Sequence, residues 1–277
     1  FVAPVLILIA VALVAIPTLP ALASTGTATR WVLPHTFSDY PYAPAKDAPN
    51  QLLYFAEHMT SGTDAGRIGQ LNLLTNDLVE WPTSGVLGTS MTVVGGNVFF
   101  TEPVANIIGR LEPSTNTFTR WSLPTAGGDA IIFWVDGSSN VWYLSLSAAK
   151  IGRLNPATND ITEWALAAAG VAIKFYGRDA SGYMWFSIPN TAPTPSKIGR
   201  LDVSSNQLTY WPLPATMTQS AQVVVVSGNT VWFSGMEGSA LHVGRLDAGT
   251  NQVTRWTVVP TDNPGESAYP FGYVNDY

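Results

Sequence analysis

The sequence predicts an all-β chain of the β-propeller class, built from four-stranded blades, and three observations carry that prediction. The stretch Ile151 to Leu166, IGRLNPATNDITEWAL, recurs at Ile68, Ile108, Ile198 and Val243. Its tryptophans, Trp81, Trp121, Trp164, Trp211 and Trp256, stand 40, 43, 47 and 45 residues apart, a period shared by propeller blades and two-helix solenoid repeats. Local chemistry then selects strands. Ile151 to Leu154 is too short for a helical face, and Asn155-Pro156-Ala157-Thr158-Asn159-Asp160 is turn material. Ile161 to Leu166 alternates apolar and polar residues. Each pair is preceded by two further apolar runs, and together they make four strands joined by hairpin-length turns.

The elements follow in order. Second strands are read at Leu52-Leu53-Tyr54-Phe55, Val98-Phe99-Phe100, Val141-Trp142-Tyr143, Tyr183-Met184-Trp185-Phe186 and Val231-Trp232-Phe233. Inner strands are read ahead of them, as at Ile131 to Val135 and Gln222 to Val226, with the first near Tyr42 to Lys46. Blades are expected at about 42–82, 89–123, 129–166, 171–213 and 221–258. Thr29-Arg30-Trp31-Val32-Leu33-Pro34 repeats the outer-strand ending Thr119 to Pro124, and the tail Ser267 to Asp276 resembles an inner strand. Five full repeats and the two ends of an incomplete sixth are therefore present. Either five blades close with overlapping ends, or a sixth is filled by another segment or a neighbouring subunit.

Composition narrows the function classes. Charged residues make up 12% of the chain, about half the usual share, so the surface must be rich in Ser, Thr, Asn, Gln and Gly. A net charge of -6 argues against a nucleic-acid partner, which would need clustered Lys and Arg. No cysteine is present, so neither disulfides nor thiolate metal sites enter the argument. No Asn-x-Ser/Thr sequon occurs. No Gly-rich phosphate loop, zinc spacing or calcium-loop pattern appears, and the sequence calls for no cofactor.

Phe1 to Ser24 carries no charged side chain. A helix from about Ala3 to Ile16, ended by Pro17 and Pro20, would span roughly 20 to 25 Å, short for a lone transmembrane helix. Ala21-Leu22-Ala23 before Ser24 also has the small-x-small pattern of a secretory cleavage site. A start at Phe without a basic leader, a charge-free helix and a proline-marked exit resemble a mature type IV pilin, with Val5 where bacterial pilins carry an acidic residue. The archaeal form is the one left by that difference. The resemblance implies a homo-oligomer whose apolar helices pack through Phe1, Val5, Leu6, Leu8, Ile9, Leu13 and Ile16. Residues 1–24 are thus expected to be a filament core helix, or alternatively a membrane anchor or a signal peptide. Residues 25–28 are a linker and 29–277 the propeller.

The blade pattern N-V-W-F-[TS]-E, K-I-G-R-L, P-x-T-N-x-x-T-x-W-x-L-P resembles the repeat of the streptogramin B lyase (virginiamycin B lyase-like) family across residues 29–277. That resemblance implies a site of blade-inner histidines, a strand-end glutamate and magnesium. Glu57 and Glu102 match the glutamate position, while Gly127-Gly128-Asp129-Ala130 and Ala169-Gly170-Val171-Ala172 carry no histidine. The candidate catalytic cluster is therefore Glu57, His58 and Glu102; His35 and His242 read as loop or packed histidines. Arg110, Arg153, Arg200 and Arg245 recur at one repeat position, either as a ligand ring or in structural pairs such as Arg153 with Glu163. The recurrent tryptophans read as inter-blade packing in preference to a carbohydrate platform.

The expected function is that of an extracellular or cell-surface structural and interaction protein, a type IV pilus-like filament subunit displaying its propeller for adhesion or protection. A glycan or a protein is the expected ligand. The alternatives are a lyase-type enzyme with a degenerate site and a membrane-anchored propeller subunit of a surface complex.

Overall fold

Each repeat folds into one antiparallel sheet whose four strands follow one another as a meander. The computed structural model describes residues 41–57, 66–127, 129–166, 173–179, 181–189, 195–217, 219–237 and 240–258. The first sheet holds β1 (Tyr42–Asp47), β2 (Leu52–Glu57), β3 (Arg67–Asn72) and β4 (Leu78–Pro82). The second holds β5 (Met91–Val94), β6 (Asn97–Glu102), β7 (Ile107–Glu112) and β8 (Thr117–Ser122). The third holds β9 (Ala130–Val135), β10 (Val141–Ser145), β11 (Lys150–Asn155) and β12 (Asp160–Ala165). In the fourth are β13 (Lys174–Arg178), β14 (Tyr183–Ile188), β15 (Lys197–Asp202) and β16 (Gln207–Pro212). The fifth comprises β17 (Gln219–Ser227), β18 (Thr230–Glu237), β19 (Ala240–Asp247) and β20 (Gln252–Val258). The expected blade boundaries hold, and no helix occurs among the described residues.

Second strands read as continuous apolar runs because both of their faces are covered. In β10 every residue is buried. One face meets the preceding sheet and the other the following sheet. Tyr54, Ala56, Ile68 and Trp81 of the first sheet pack with Val98, Phe100 and Leu111 of the second. The same arrangement brings Phe99, Ile108 and Trp121 against Val141, Tyr143 and Leu154. It recurs between Trp142, Ile151, Trp164 and Met184, Phe186, Leu201. It recurs again between Trp185, Ile198, Trp211 and Val231, Phe233, Leu246. The sheets thus stack face to face in chain order, with innermost strands adjacent from β1 to β17, a β-propeller-like arrangement.

Three residue types in the repeat have a steric or hydrogen-bonding cause. The glycine of Ile-Gly-Arg-Leu lies directly beneath an aromatic ring of the neighbouring second strand, as Gly152 under Tyr143 and Gly199 under Phe186. A Cβ there would sit inside that ring's contact distance. The turn asparagine five positions before each tryptophan takes a left-handed backbone, φ 56° at Asn116, 65° at Asn159 and 60° at Asn251, which asparagine tolerates. At three of the four junctions its side chain then accepts the indole N–H of the preceding sheet: Trp81 to Asn116 at 2.6 Å, Trp121 to Asn159 at 2.6 Å and Trp211 to Asn251 at 2.7 Å. Sheet is tied to sheet, in one direction.

Three of the four recurring arginines, Arg110, Arg153 and Arg200, lie over indole rings. Arg153 sits 5.6 Å from the centroids of both Trp142 and Trp164, and Arg200 5.5 and 5.3 Å from those of Trp185 and Trp211. These are cation–π stacks. The suggested pairing of Arg153 with Glu163 is corrected by the register: Arg153 faces Thr162 and Glu163 faces Gly152, so adjacent residues point to opposite faces of the sheet.

The apolar segment expected to form an assembly helix, with Phe1, Val5, Leu6, Leu8, Ile9, Leu13 and Ile16, lies outside the described residues. So do the outer-strand motif around Trp31, His35, His58 and the tail Ser267 to Asp276.

Candidate functional site

The strand-end glutamates stand where the second strand turns into the third. Chain connectivity brings the end of the outer strand and the linker from the preceding sheet to the same place. A polar group at this position is therefore surrounded by whatever those three segments supply.

In the second sheet Glu102 is buried, and Arg120 holds it: Nε donates to both carboxylate oxygens at 3.4 and 3.2 Å, and an Nη donates at 3.2 Å. The linker residue Gly85 packs against the same carboxylate. In the third sheet the second strand ends in Ser145 instead, and the carboxylate comes from the outer strand β12: Glu163 accepts from Lys150 at 2.9 Å, from the Tyr143 hydroxyl at 2.9 Å and from the linker residue Thr125. Burial alone would raise this carboxyl, but the hydrogen bonds from Thr125, Lys150 and Tyr143 outweigh it and hold the group below its usual range. Burial, followed by the Glu163 charge, pushes the Tyr143 hydroxyl up. In the fifth sheet Arg255 donates to Glu237 at 2.7 Å and to the linker residue Thr216 at 2.9 Å. His242 packs there too, its Nε2 3.4 Å from Glu237.

Glu57 departs from this pattern. It is 2% exposed, and among the described residues neither carboxylate oxygen has a hydrogen-bond partner. Its surroundings are Arg67 and Glu80, themselves 3.6 Å apart. Burial pushes the Glu57 carboxyl up to about 7, with the Glu80 charge adding to the rise and Arg67 opposing it. A carboxyl poised near neutrality can take or give a proton at working pH, which general acid–base chemistry requires.

The expected cluster is distributed as follows. Glu57 and Glu102 occupy equivalent positions in adjacent sheets, Glu102 paired with Arg120 of its own sheet and Glu57 lying near Arg67 and Glu80, and His58 lies outside the described residues. Among the described residues no group of three His, Asp or Glu side chains is placed to hold a metal ion. Sequence reasoning missed the Lys150, Thr125, Tyr143 and Glu163 network, because Thr125 sits in a linker outside the repeat. The interlocking asparagines had a readable signal, their constant spacing ahead of each tryptophan.

No protein-family profile matches the sequence, and no curated protein does. Solved structures do match. A streptogramin B lyase is 22% identical over 80% of this chain and 70% of its own, with a TM-score of 0.55. The virginiamycin B lyase of Staphylococcus aureus is 20% identical over 80% and 71%, with a TM-score of 0.54. The dihydro-heme d1 dehydrogenase NirN is 13% identical over 77% and 49%, with a TM-score of 0.57. The chain has a β-propeller-like fold. Identities this low establish fold alone, since propellers host unrelated activities.

Proposed function

We propose that this chain is an extracellular interaction protein, a propeller displayed at the cell surface on an apolar N-terminal segment through which copies assemble into a type IV pilus-like filament. The observation that carries this reading is the structural use of the repeat's recurring charges. Glu102 is held by Arg120, Glu163 by Lys150, and Arg153 and Arg200 lie on tryptophan rings. The repeat builds a rigid scaffold, and the charge-free stretch Phe1 to Ser24 supplies a surface suited to packing with copies of itself. Adhesion or protection, with a glycan or protein ligand on the propeller, is the role such a display serves.

The test is electron microscopy and sedimentation of the intact chain. Filaments that Leu8→Asp or Leu13→Asp disperses, with the thermal midpoint of the propeller unchanged, support the reading. A chain that stays monomeric at high concentration rejects it.

A second reading rests on Glu57. Its buried, unpartnered carboxyl, raised to about 7, suits proton abstraction in a lyase reaction on a compound such as quinupristin, which accompanies a virginiamycin B lyase of this fold. Turnover of quinupristin by the wild type, lost in Glu57→Gln, would establish it; no turnover would remove it.

A further inference from the structure

The first four repeats close the same seam, where the turn before the third strand meets the linker leaving the outer strand. In each, a linker amide donates to a turn carbonyl: Thr83 to Gly66 at 2.8 Å, Leu123 to Asn106 at 2.9 Å, Leu166 to Ala149 at 2.8 Å and Leu213 to Ser196 at 2.8 Å. What else fills the seam differs. In the first repeat the Thr83 hydroxyl lies in it, 2.8 Å from the carbonyls of both Gly66 and Gly85. In the second the Asn106 amide spans it, donating to the Leu123 and Thr125 carbonyls at 3.0 Å each. Ala149 brings no polar side chain to the third.

The fourth repeat places Ser196 where the second has Asn106. Ser196 is fully buried, and among the described residues its Oγ has no hydrogen-bond partner. Serine is one bond shorter than asparagine and does not make the bond to the Leu213 carbonyl that Asn106 makes to that of Leu123. Ser187 of β14 is in the same state, fully buried with an unbonded Oγ among the described residues. It pairs with Ile198, two residues beyond Ser196, so alternation turns both serines to the face that packs on the fifth sheet. The equivalent hydroxyl of the second repeat, on Thr101, is met by Ser90. Bulk solvent does not reach the spot. In the first repeat Leu87 lies against Gly66, and Met217, which holds the place of Leu87 in the fourth, is fully buried.

Buried hydroxyls without partners are costly, and a polar spot offering about two to four partners holds a water molecule. We propose that one buried water is an integral part of the fourth repeat, standing where the Asn106 amide stands in the second. It accepts a hydrogen bond from each of the Ser196 and Ser187 hydroxyls and donates one to the Leu213 carbonyl. The seam is then closed by protein in the first two repeats and by solvent in the fourth.

The experiment compares two substitutions of Ser196 in the full chain by thermal melting, with a high-resolution crystal structure of the wild type. Ser196→Ala removes a ligand of the water and should lower the melting temperature by about 2–4 °C. A hydroxyl that bonds nothing is better lost, so a melting temperature unchanged or raised by Ser196→Ala overturns the proposal. Ser196→Asn should put an amide in the place of the water and keep or raise the melting temperature; a fall overturns the assigned position. In the crystal, a density peak within hydrogen-bond distance of Ser196 Oγ and the Leu213 carbonyl supports the water, and a map without one overturns it.

Discussion

The fourth and fifth sheets share a sequence pattern and differ in what lies on them. Trp211 is 5% exposed and hands its indole N–H to Asn251, whereas Trp256, at the same repeat position, is 47% exposed. The lesson is that the repeat does not carry its own stability. Each unit presents two half-interfaces, and the apolar area becomes useful only when a neighbour removes it from water. The strand-end carboxylates repeat the lesson in polar form: Glu102 has Arg120, while Glu57 at the equivalent position has no hydrogen bond among the described residues.

The sharpest way to break this comparison is to truncate both tryptophans. Trp211→Ala should cost about 3–5 kcal/mol and Trp256→Ala less than about 1 kcal/mol; equal losses in denaturant melts would show that coverage does not set the difference. Next in size is Glu57→Gln, which sharpens the polar half. A carboxyl raised from 4.5 to about 7 in the fold is favoured protonated, so its contribution is intact below pH 4.5 and is lost as pH rises toward 7 and beyond. The loss is on the order of 3 kcal/mol. The glutamine variant should therefore be more stable than wild type at pH 8, with a flatter pH profile from 5 to 8, and a profile unchanged by the substitution refutes the assignment. Gly199→Ala forces a methyl group into the Phe186 ring and should lower stability by about 1–3 kcal/mol. The smallest effect on an internal interface is expected for Asn251→Ala. It removes the acceptor of the Trp211 indole and places alanine at positive φ, costing about 1–2 kcal/mol. The same change made to a turn with no indole on it should cost less.

Much of the fold was legible because it repeats. Strand order, hairpin connections and blade limits followed from the spacing of Trp81 to Trp256 and the turns between. The partner of each side chain was less legible, because alternation decides it and one residue of offset reverses the face. Arg153 was matched with Glu163 on proximity, while register sends it onto Trp142 and Trp164. The candidate site was legible only as positions. That Glu57 and Glu102 are equivalent could be read from the motif, but their opposite circumstances depend on Arg120 and Gly85 for one and on Glu80 and Arg67 for the other. Those residues lie on different strands and linkers, and nothing in the local pattern around either glutamate announces them.

The indole-to-asparagine links, present at three of the four junctions between the described sheets, all run one way, from a unit to its successor. A chain joined like that has a donor end and an acceptor end, much as couplings on railway wagons do. Duplicating one unit in the gene would lengthen the train without altering any joint, because the new wagon brings both fittings with it. Deleting one would be equally silent at the joints, so the number of units is free to drift and is governed by whatever ends the series.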